Sequence, residues 1–254
     1  MFLRIVYTVW LREMRRFWRD KARIIGNLGM PFIFLAFLGV GFSASFEIPG
    51  IELDYLNYLA PGIIGMSILF TAIFTGVSVI WDKQFGFMRE MLVAPASRWS
   101  IVVGKVLGSS TVTLISALLV LLVTIIFGAI PLAALTFTTI LTILVIMILA
   151  ALVFVSLGLI IASRMNSMEG FQLIMSFLVM PLFLLSGAFF PIKNAPTWMQ
   201  VLAGIDPMKY AVDGLRGTIL NVAELPLSVN MLVLLIIALV MIFIASLLFR
   251  RMES

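Results

Sequence analysis

Two stretches of this chain place polar and apolar side chains at spacings that could act on another molecule, and neither is built to make bonds. The first is Lys83-Gln-Phe85-Gly86-Phe87-Met88-Arg89-Glu90-Met91-Leu92-Val93-Ala94-Pro95-Ala96-Ser97-Arg98. It is too polar to cross a membrane and too apolar for a solvated loop. Phe85 to Val93 can form a short helix that Pro95 stops, because a residue before proline avoids the helical region. On that helix Phe85, Met88 and Leu92 share one face, while Arg89 and Glu90 point elsewhere. Such an apolar side needs a cover, either the chain's own helices or a groove on a soluble partner.

The second stretch runs from Ser186 to Ser228 and holds Pro191, Pro196, Pro207 and Pro226. Ala195 to Leu202, with Pro196 and Trp198, reads as a short helix. Asp206-Pro207 reads as an N-cap followed by proline at the first helical position. Tyr210, Asp213 and Arg216 then lie three apart, so each neighbours the next. An Asp213–Arg216 ion pair is expected, worth under ~1 kcal/mol if exposed. The segment is apolar between its charges, which predicts short helices dipping into the outer leaflet.

Composition removes most catalytic chemistry. The chain has no His and no Cys, so a His general base, a Cys nucleophile, a disulfide and the usual zinc ligand sets are absent. A Ser/His membrane protease is excluded on the same ground. Gly104-Lys105 is followed by Val106 and lacks the earlier glycine of a phosphate-binding loop. No metal site and no cofactor are expected in this chain.

The elements that must carry these stretches are membrane helices. Of 254 residues, 63% are hydrophobic and 11% charged, with mean hydropathy +1.20. A soluble domain has about 25% charged residues. Six apolar runs are long enough to cross a bilayer, which needs roughly 20 residues each. They span about Ile24–Phe46, Leu59–Trp81, Val102–Phe127, Leu135–Ala162, Phe171–Phe190 and Val229–Phe249. Their cores carry no charge except Lys105, whose long side chain is expected to snorkel to the interface. No embedded carboxylate marks an ion site or proton relay. Gly104-x-x-x-Gly108 has the spacing that lets helices approach closely.

All of the 17 basic residues except Lys193, Lys209 and Arg216 fall before the first run, between the second run and the first turn of the third (Lys83, Arg89, Arg98 and Lys105), between the fourth and fifth, or after the sixth. The positive-inside rule then places both termini in the cytoplasm of a multi-pass cell-membrane protein. The net charge of +5 is therefore mainly an orientation label, and a nucleic-acid partner is not expected. Residues 1–23 form an amphipathic helix. Leu3, Val6, Tyr7, Trp10, Met14, Phe17 and Trp18 fall on one side, and Arg4, Arg12, Arg15, Arg16, Arg19 and Arg23 on the other. Glu13 and Lys21 fall nearer the apolar side. This suits a helix in the headgroup plane, with membrane lipid as a partner. Ser43-Ala44-Ser45 could pass for a cleavage site, but the preceding charged region is too long for a signal peptide, so no cleavage is expected.

Taken together, the two stretches resemble the permease of a type-2 ATP-binding-cassette (ABC-2) exporter, nearest the daunorubicin/multidrug-resistance subgroup. The residues that carry this are Gly86, Arg89, Glu90, Leu92, Ala94 and Pro95 inside. Outside they are Ser186-Gly187-Ala188-Phe189-Phe190-Pro191, Pro196, Trp198, Pro207, Tyr210, Asp213 and Arg216, with Pro61-Gly62 opening the second run. The family often has Asn where this chain has Asp206. The resemblance implies an all-α integral membrane fold. It comprises an interfacial helix at 1–23 and a six-span permease domain at 24–254. Within that domain it implies a cytoplasmic coupling helix at about 83–95 and a re-entrant outer segment at about 191–226.

The resemblance also implies separate cytoplasmic ABC ATPase subunits that hold the ATP and Mg. A second copy of the chain, or a related permease, would complete the pathway. ATPase coupling would fall to Phe85, Gly86, Phe87, Met88, Arg89, Glu90, Leu92 and Pro95. The outer gate would use Gly187, Phe190, Pro191, Pro196, Trp198, Pro207, Tyr210, Asp213 and Arg216. Phe32, Phe34, Phe37, Phe70, Phe74, Phe177 and Phe183 are candidates to line a path for an amphipathic, drug-like, lipid or glycan substrate. Two other readings stay open at this level: the substrate-binding membrane module of an importer, and a membrane assembly protein that transports nothing.

Overall fold

A computed structural model describes residues 2–43, 54–85 and 97–250. Most of the expected coupling helix, from Gly86 to Pro95, lies outside them. The described residues form helices and turns with no strand. Six helices are long and apolar enough to cross a membrane: Lys21–Val40, Tyr55–Gln84, Arg98–Ile126, Phe137–Arg164, Met168–Leu185 and Leu227–Phe249. Each overlaps one expected run. The second starts earlier and ends later than hydropathy predicts, and the fifth ends at Leu185, where a turn replaces the expected last residues.

Local chemistry sets the ends of these helices. The side chains of Ser97, Thr136 and Ser167 accept from backbone N–H groups of the third, fourth and fifth spans, as N-caps do. Pro31 interrupts the first span, and a π-helical stretch, Phe34–Val40, follows it. The second span breaks at Thr75-Gly76, where the Thr75 hydroxyl donates to the Ala72 carbonyl at 2.6 Å.

The second span is the centre of the bundle. Its most apolar window is 83% buried, against 17% for the first span, 22% for the fifth and 28% for the sixth. It packs against the first, third, fourth and fifth spans and against the outer helix Pro207–Leu220. The sixth span packs mainly on the fourth. The first, fifth and sixth spans turn large side chains outward, among them Phe37, Phe177 and Leu239. A membrane protein presents such faces to lipid or to another membrane chain.

The N-terminal helix, Phe2–Arg19, lies along the first turns of the third span. Contacts advance together in the two helices: Val6 and Val9 meet Gly104, Trp10 and Glu13 meet Gly108, and Met14 and Phe17 cluster with Val112. The Trp10 indole donates to the Thr111 hydroxyl at 3.1 Å. The glycine spacing therefore seats the N-terminal helix. A Cβ on Gly104 would stand 2.8 Å from the Val9 Cβ and 3.0 Å from the Val6 carbonyl oxygen.

Gly104→Val is expected to cost about 1–3 kcal/mol through overpacking. Gly204→Ala, where an added Cβ meets nothing within 4 Å, is expected to be neutral or to gain up to about 1 kcal/mol. Thermal unfolding of the two purified variants in one detergent checks the contrast.

Candidate functional site

Charge is gathered at both ends of the second span. At one end Asp82, in the last helical turn, is 4% exposed. Its carboxylate accepts from Lys105 Nζ at 2.5 Å and from the Arg12 guanidinium. Lys105 also donates to the Ser78 hydroxyl at 3.3 Å. One carboxylate thus joins the N-terminal helix, the second span and the third. Lys105 does not snorkel: it is 1% exposed, held inward because a carboxylate within reach compensates its charge better than a distant interface. Arg12 is partly exposed, so the Lys105–Asp82 pair is the one sealed from water. Glu13 is buried beside them, against Gly108.

The next two residues are fixed as firmly. Lys83 Nζ donates to the carbonyls of Ala162, Ser163 and Met165 at 3.2, 2.7 and 3.0 Å. A lysine placed there satisfies the orphan carbonyls at the C-terminal end of the fourth span and meets the negative end of its dipole. Gln84 Nε2 donates to the Asn166 carbonyl at 3.2 Å. The polypeptide therefore enters the 83–95 segment from a root bolted to three other elements. Phe85 is 73% exposed. The expected coupling residues Gly86, Phe87, Met88, Arg89, Glu90, Leu92 and Pro95 lie outside the described residues.

At the other end, Tyr58 lies in the first turn of the same span. Gly187 occupies the left-handed region (φ +77°) in the turn after the fifth span, which aims its carbonyl inward. That carbonyl accepts from the Tyr58 hydroxyl at 3.1 Å and from Arg216 Nη2 at 2.9 Å. The guanidinium of Arg216 also stacks on the Tyr58 ring, 3.8 Å from its centroid, a desolvated cation–π contact. Arg216 is 5% exposed, and burial pulls its pKa below the usual arginine range. The outer helix, the turn after the fifth span and the second span are clamped together here.

The expected Asp213–Arg216 ion pair does not form. Asp213 accepts from the backbone N–H groups of Glu224 and Leu225 at 2.7 and 3.0 Å, and from Asn230 Nδ2 at 2.8 Å. It ties the outer helix to the start of the sixth span, while Arg216 faces Tyr58. Tertiary partners override the helical neighbour rule, and both side chains are buried rather than exposed. Tyr210 donates to the Gly204 carbonyl at 2.7 Å, closing the turn between outer helices Thr197–Ile205 and Pro207–Leu220.

Asp206 caps the second of these helices, accepting from the Met208 N–H at 2.8 Å. Its other carboxylate oxygen is buried without a partner. Burial, partly offset by the Met208 N–H, pushes this carboxyl from 3.8 up to about 7. Pro207 occupies the first helical position. Pro191 precedes a single 3-10 turn, and Pro196 precedes the helix Thr197–Ile205. Trp198, Val201, Leu202 and Ile205 are exposed, giving this short helix an apolar outward side, and Phe190 is exposed in the turn after the fifth span.

The phenylalanines separate into two groups. Phe183 is buried and packs edge-on against Phe189, Phe34 and Phe70, so it is core. Phe70 and Phe74 line a cavity of about 170 Å³ between the first two spans, with Asn27, Pro31, Ser67 and Thr71. Phe32 meets Phe127, and Phe177 is 81% exposed on the outer side of the fifth span. Neither lines that cavity. Asp82 and Tyr58 are the residues that sequence reasoning missed. Asp82 lies one residue past the apolar run and one before the loop, so neither took it in.

Comparison with known proteins places this geometry. The ABC-2 type transporter family matches residues 4–220. The chain is 27% identical to Nodulation protein J of Rhizobium leguminosarum bv. viciae, over 95% of this chain and 94% of that protein. It is 25% identical to the inner membrane transport permease YadH of Escherichia coli (strain K12), over 91% of this chain and 90% of that protein. It is 30% identical to the probable multidrug ABC transporter permease YbhR of the same strain, over 71% of this chain and 48% of that protein.

Removing one partner of a buried ion pair leaves the other charge uncompensated, at about 3–5 kcal/mol. Asp82→Asn is expected to lose stability on that scale, and the double variant Asp82→Asn/Lys105→Met to recover much of it. Melting temperatures of the two variants check this. Asp206 supplies a pH test. The folded chain keeps this proton to about pH 7, whereas the unfolded chain releases it near 3.8. The folded state therefore binds more protons across that window, and this group's contribution to stability falls as pH rises through it, then levels off. Asp206→Asn keeps the cap acceptor and is expected to lose that slope and to melt higher than the parent at pH 8.

Proposed function

The chain belongs to the ABC-2 type transporter family and is a multi-pass membrane permease; on that premise we propose that it forms half of an exporter's pathway, driven by separate ATPase subunits. The relatives named as permeases support a transport subunit rather than an enzyme. Energy enters, in this reading, through residues 83–95, which dock on a cytoplasmic ATPase. The observation that carries it is the root of that segment. Asp82, Lys83 and Gln84 are bonded to the N-terminal helix and to the third and fourth spans. A push on the segment is then delivered to the bundle and not lost in a loose loop.

ATP and Mg act on the partner, where ATP serves as a ligand favouring one of two permease states. Both termini of the permease face the cytoplasm. The outward apolar faces of the first and fifth spans leave room for a second permease, a copy of this chain or a related one. Asn27, Ser67 and Thr71 beside Phe70 and Phe74 make the cavity between the first two spans amphipathic. That suits a drug-like, lipid or glycan substrate with both polar and apolar parts. The short outer helices, with Trp198 and Ile205 exposed, dip into the outer leaflet and cap the exit.

Co-expression with an ATPase subunit encoded beside this chain tests the reading. The pair is expected to co-purify, and the permease to raise the ATPase rate severalfold in nanodiscs. Glu90→Ala and Leu92→Ala are expected to weaken both effects while leaving the melting temperature of the permease alone unchanged. Intact association and stimulation in both variants would refute the coupling role and favour a ligand-binding module without a power stroke.

A further inference from the structure

We propose that the arginine-lined groove on the N-terminal helix is a binding site for the phosphate of an anionic phospholipid headgroup. Arg12, Arg15, Arg16 and Arg19 stand at positions i, i+3, i+4 and i+7, so their guanidinium groups share one helix face. They line a groove of about 670 Å³ that closes at Asp20, where the chain turns into the first span. Asp20 itself is committed to capping that span, accepting from the Arg23 N–H at 3.0 Å.

The groove is partly preorganised from below. Asp82 holds the Arg12 guanidinium, and the Arg16 guanidinium lies over the Trp81 ring at 4.9 Å. Arg15 and Arg19 are exposed and make no hydrogen bond or ion pair among the described residues. Guanidinium groups presented in this way match phosphate oxygens by paired N–H donors. The cationic excess selects an anionic over a zwitterionic headgroup.

Two observations favour lipid over a soluble anion. The N-terminal helix runs beside residues 104–112 of the third span, so the groove sits at the membrane end of a crossing helix. Trp81, whose ring the Arg16 guanidinium covers, is 43% exposed. An indole ring at the edge of the groove suits the boundary between acyl chains and headgroups. A soluble anion would gain nothing from it.

The test uses the full chain in detergent, with lipid retention read by native mass spectrometry. Added phosphatidylglycerol is expected to be retained several-fold over phosphatidylcholine. Arg15→Gln/Arg19→Gln is expected to reduce phosphatidylglycerol retention about ten-fold or more, since each surface cation contributes appreciably to anionic-lipid attraction. Arg15→Lys/Arg19→Lys is expected to keep part of it, and Arg164→Gln, an exposed arginine at the end of the fourth span, to change nothing. A melting curve for each variant separates lost binding from lost folding. Equal retention of the two lipids, or no loss in the Gln variant, would overturn the proposal. Displacement of the lipid by inorganic phosphate would assign the groove to a soluble anion and overturn it too. Because the readout needs no ATPase, its result is independent of the coupling role of residues 83–95.

Discussion

A charge inside an apolar bundle must find its counter-group within the chain, because the surrounding lipid offers none. This chain has few charges, and two small clusters of them meet that demand at opposite ends of one helix. At the cytoplasmic end of the proposed topology, Asp82 serves Lys105 and Arg12. At the other, the Gly187 carbonyl and the Tyr58 ring together receive Arg216, while Asp213 collects three donors from the approach to the sixth span. Remove either cluster and apolar packing still gathers the helices, but little fixes their register. Apolar contacts among Leu, Ile and Val tolerate sliding, and in lipid they carry no hydrophobic driving force. Directional contacts between charged and polar groups do not tolerate it.

The six crossings were legible in the sequence because a bilayer imposes a length and a composition on each of them. The proline-started outer helix was legible for a related reason: Asp206 acts on the backbone only two residues on. The pairings that define the site were not. Asp82 bonds Lys105, 23 residues on, and Arg12, 70 residues back. Arg216 reaches Gly187, 29 residues back, and Tyr58, 158 residues back. No local periodicity encodes such contacts. Where a local rule was applied to them it gave the wrong partner, as with Asp213 and Arg216 on one helix face. The snorkelling expectation for Lys105 failed likewise, since it weighed the side chain against solvent and not against a carboxylate on the next helix.

One sequence signal did point inward. Glu13 falls toward the apolar side of its helix wheel, an awkward place for a carboxylate on a helix lying flat on a membrane. The structure packs that side against the third span at Gly108, with Glu13 Oε1 buried without a hydrogen-bond partner. The N-terminal helix is thus held by glycine-permitted contact on one face and by Arg12 on another. Its arginines gain a fixed position relative to the bundle, which a helix anchored only by partition into headgroups would lack.

Both clusters sit on the second span, and this has a mechanical consequence. Displacement of its Asp82 end has two outlets. The helix can tilt as a rigid rod, which loads the clamp made by Tyr58, Gly187 and Arg216 at its far end. Alternatively it can bend at Thr75-Gly76, where the helical ladder is already interrupted, and the clamp is spared. The break lies much closer to Asp82 than to Tyr58, so bending would move only the short helix Val77–Gln84. That helix is the one tied to Lys105 by Asp82 and Ser78, and to the end of the fourth span by Lys83. It cannot bend away without breaking charged contacts or carrying the third and fourth spans with it. The bonds at its lower end therefore favour transmission over absorption, and among them the Lys105–Asp82 pair is the ion pair buried on both sides.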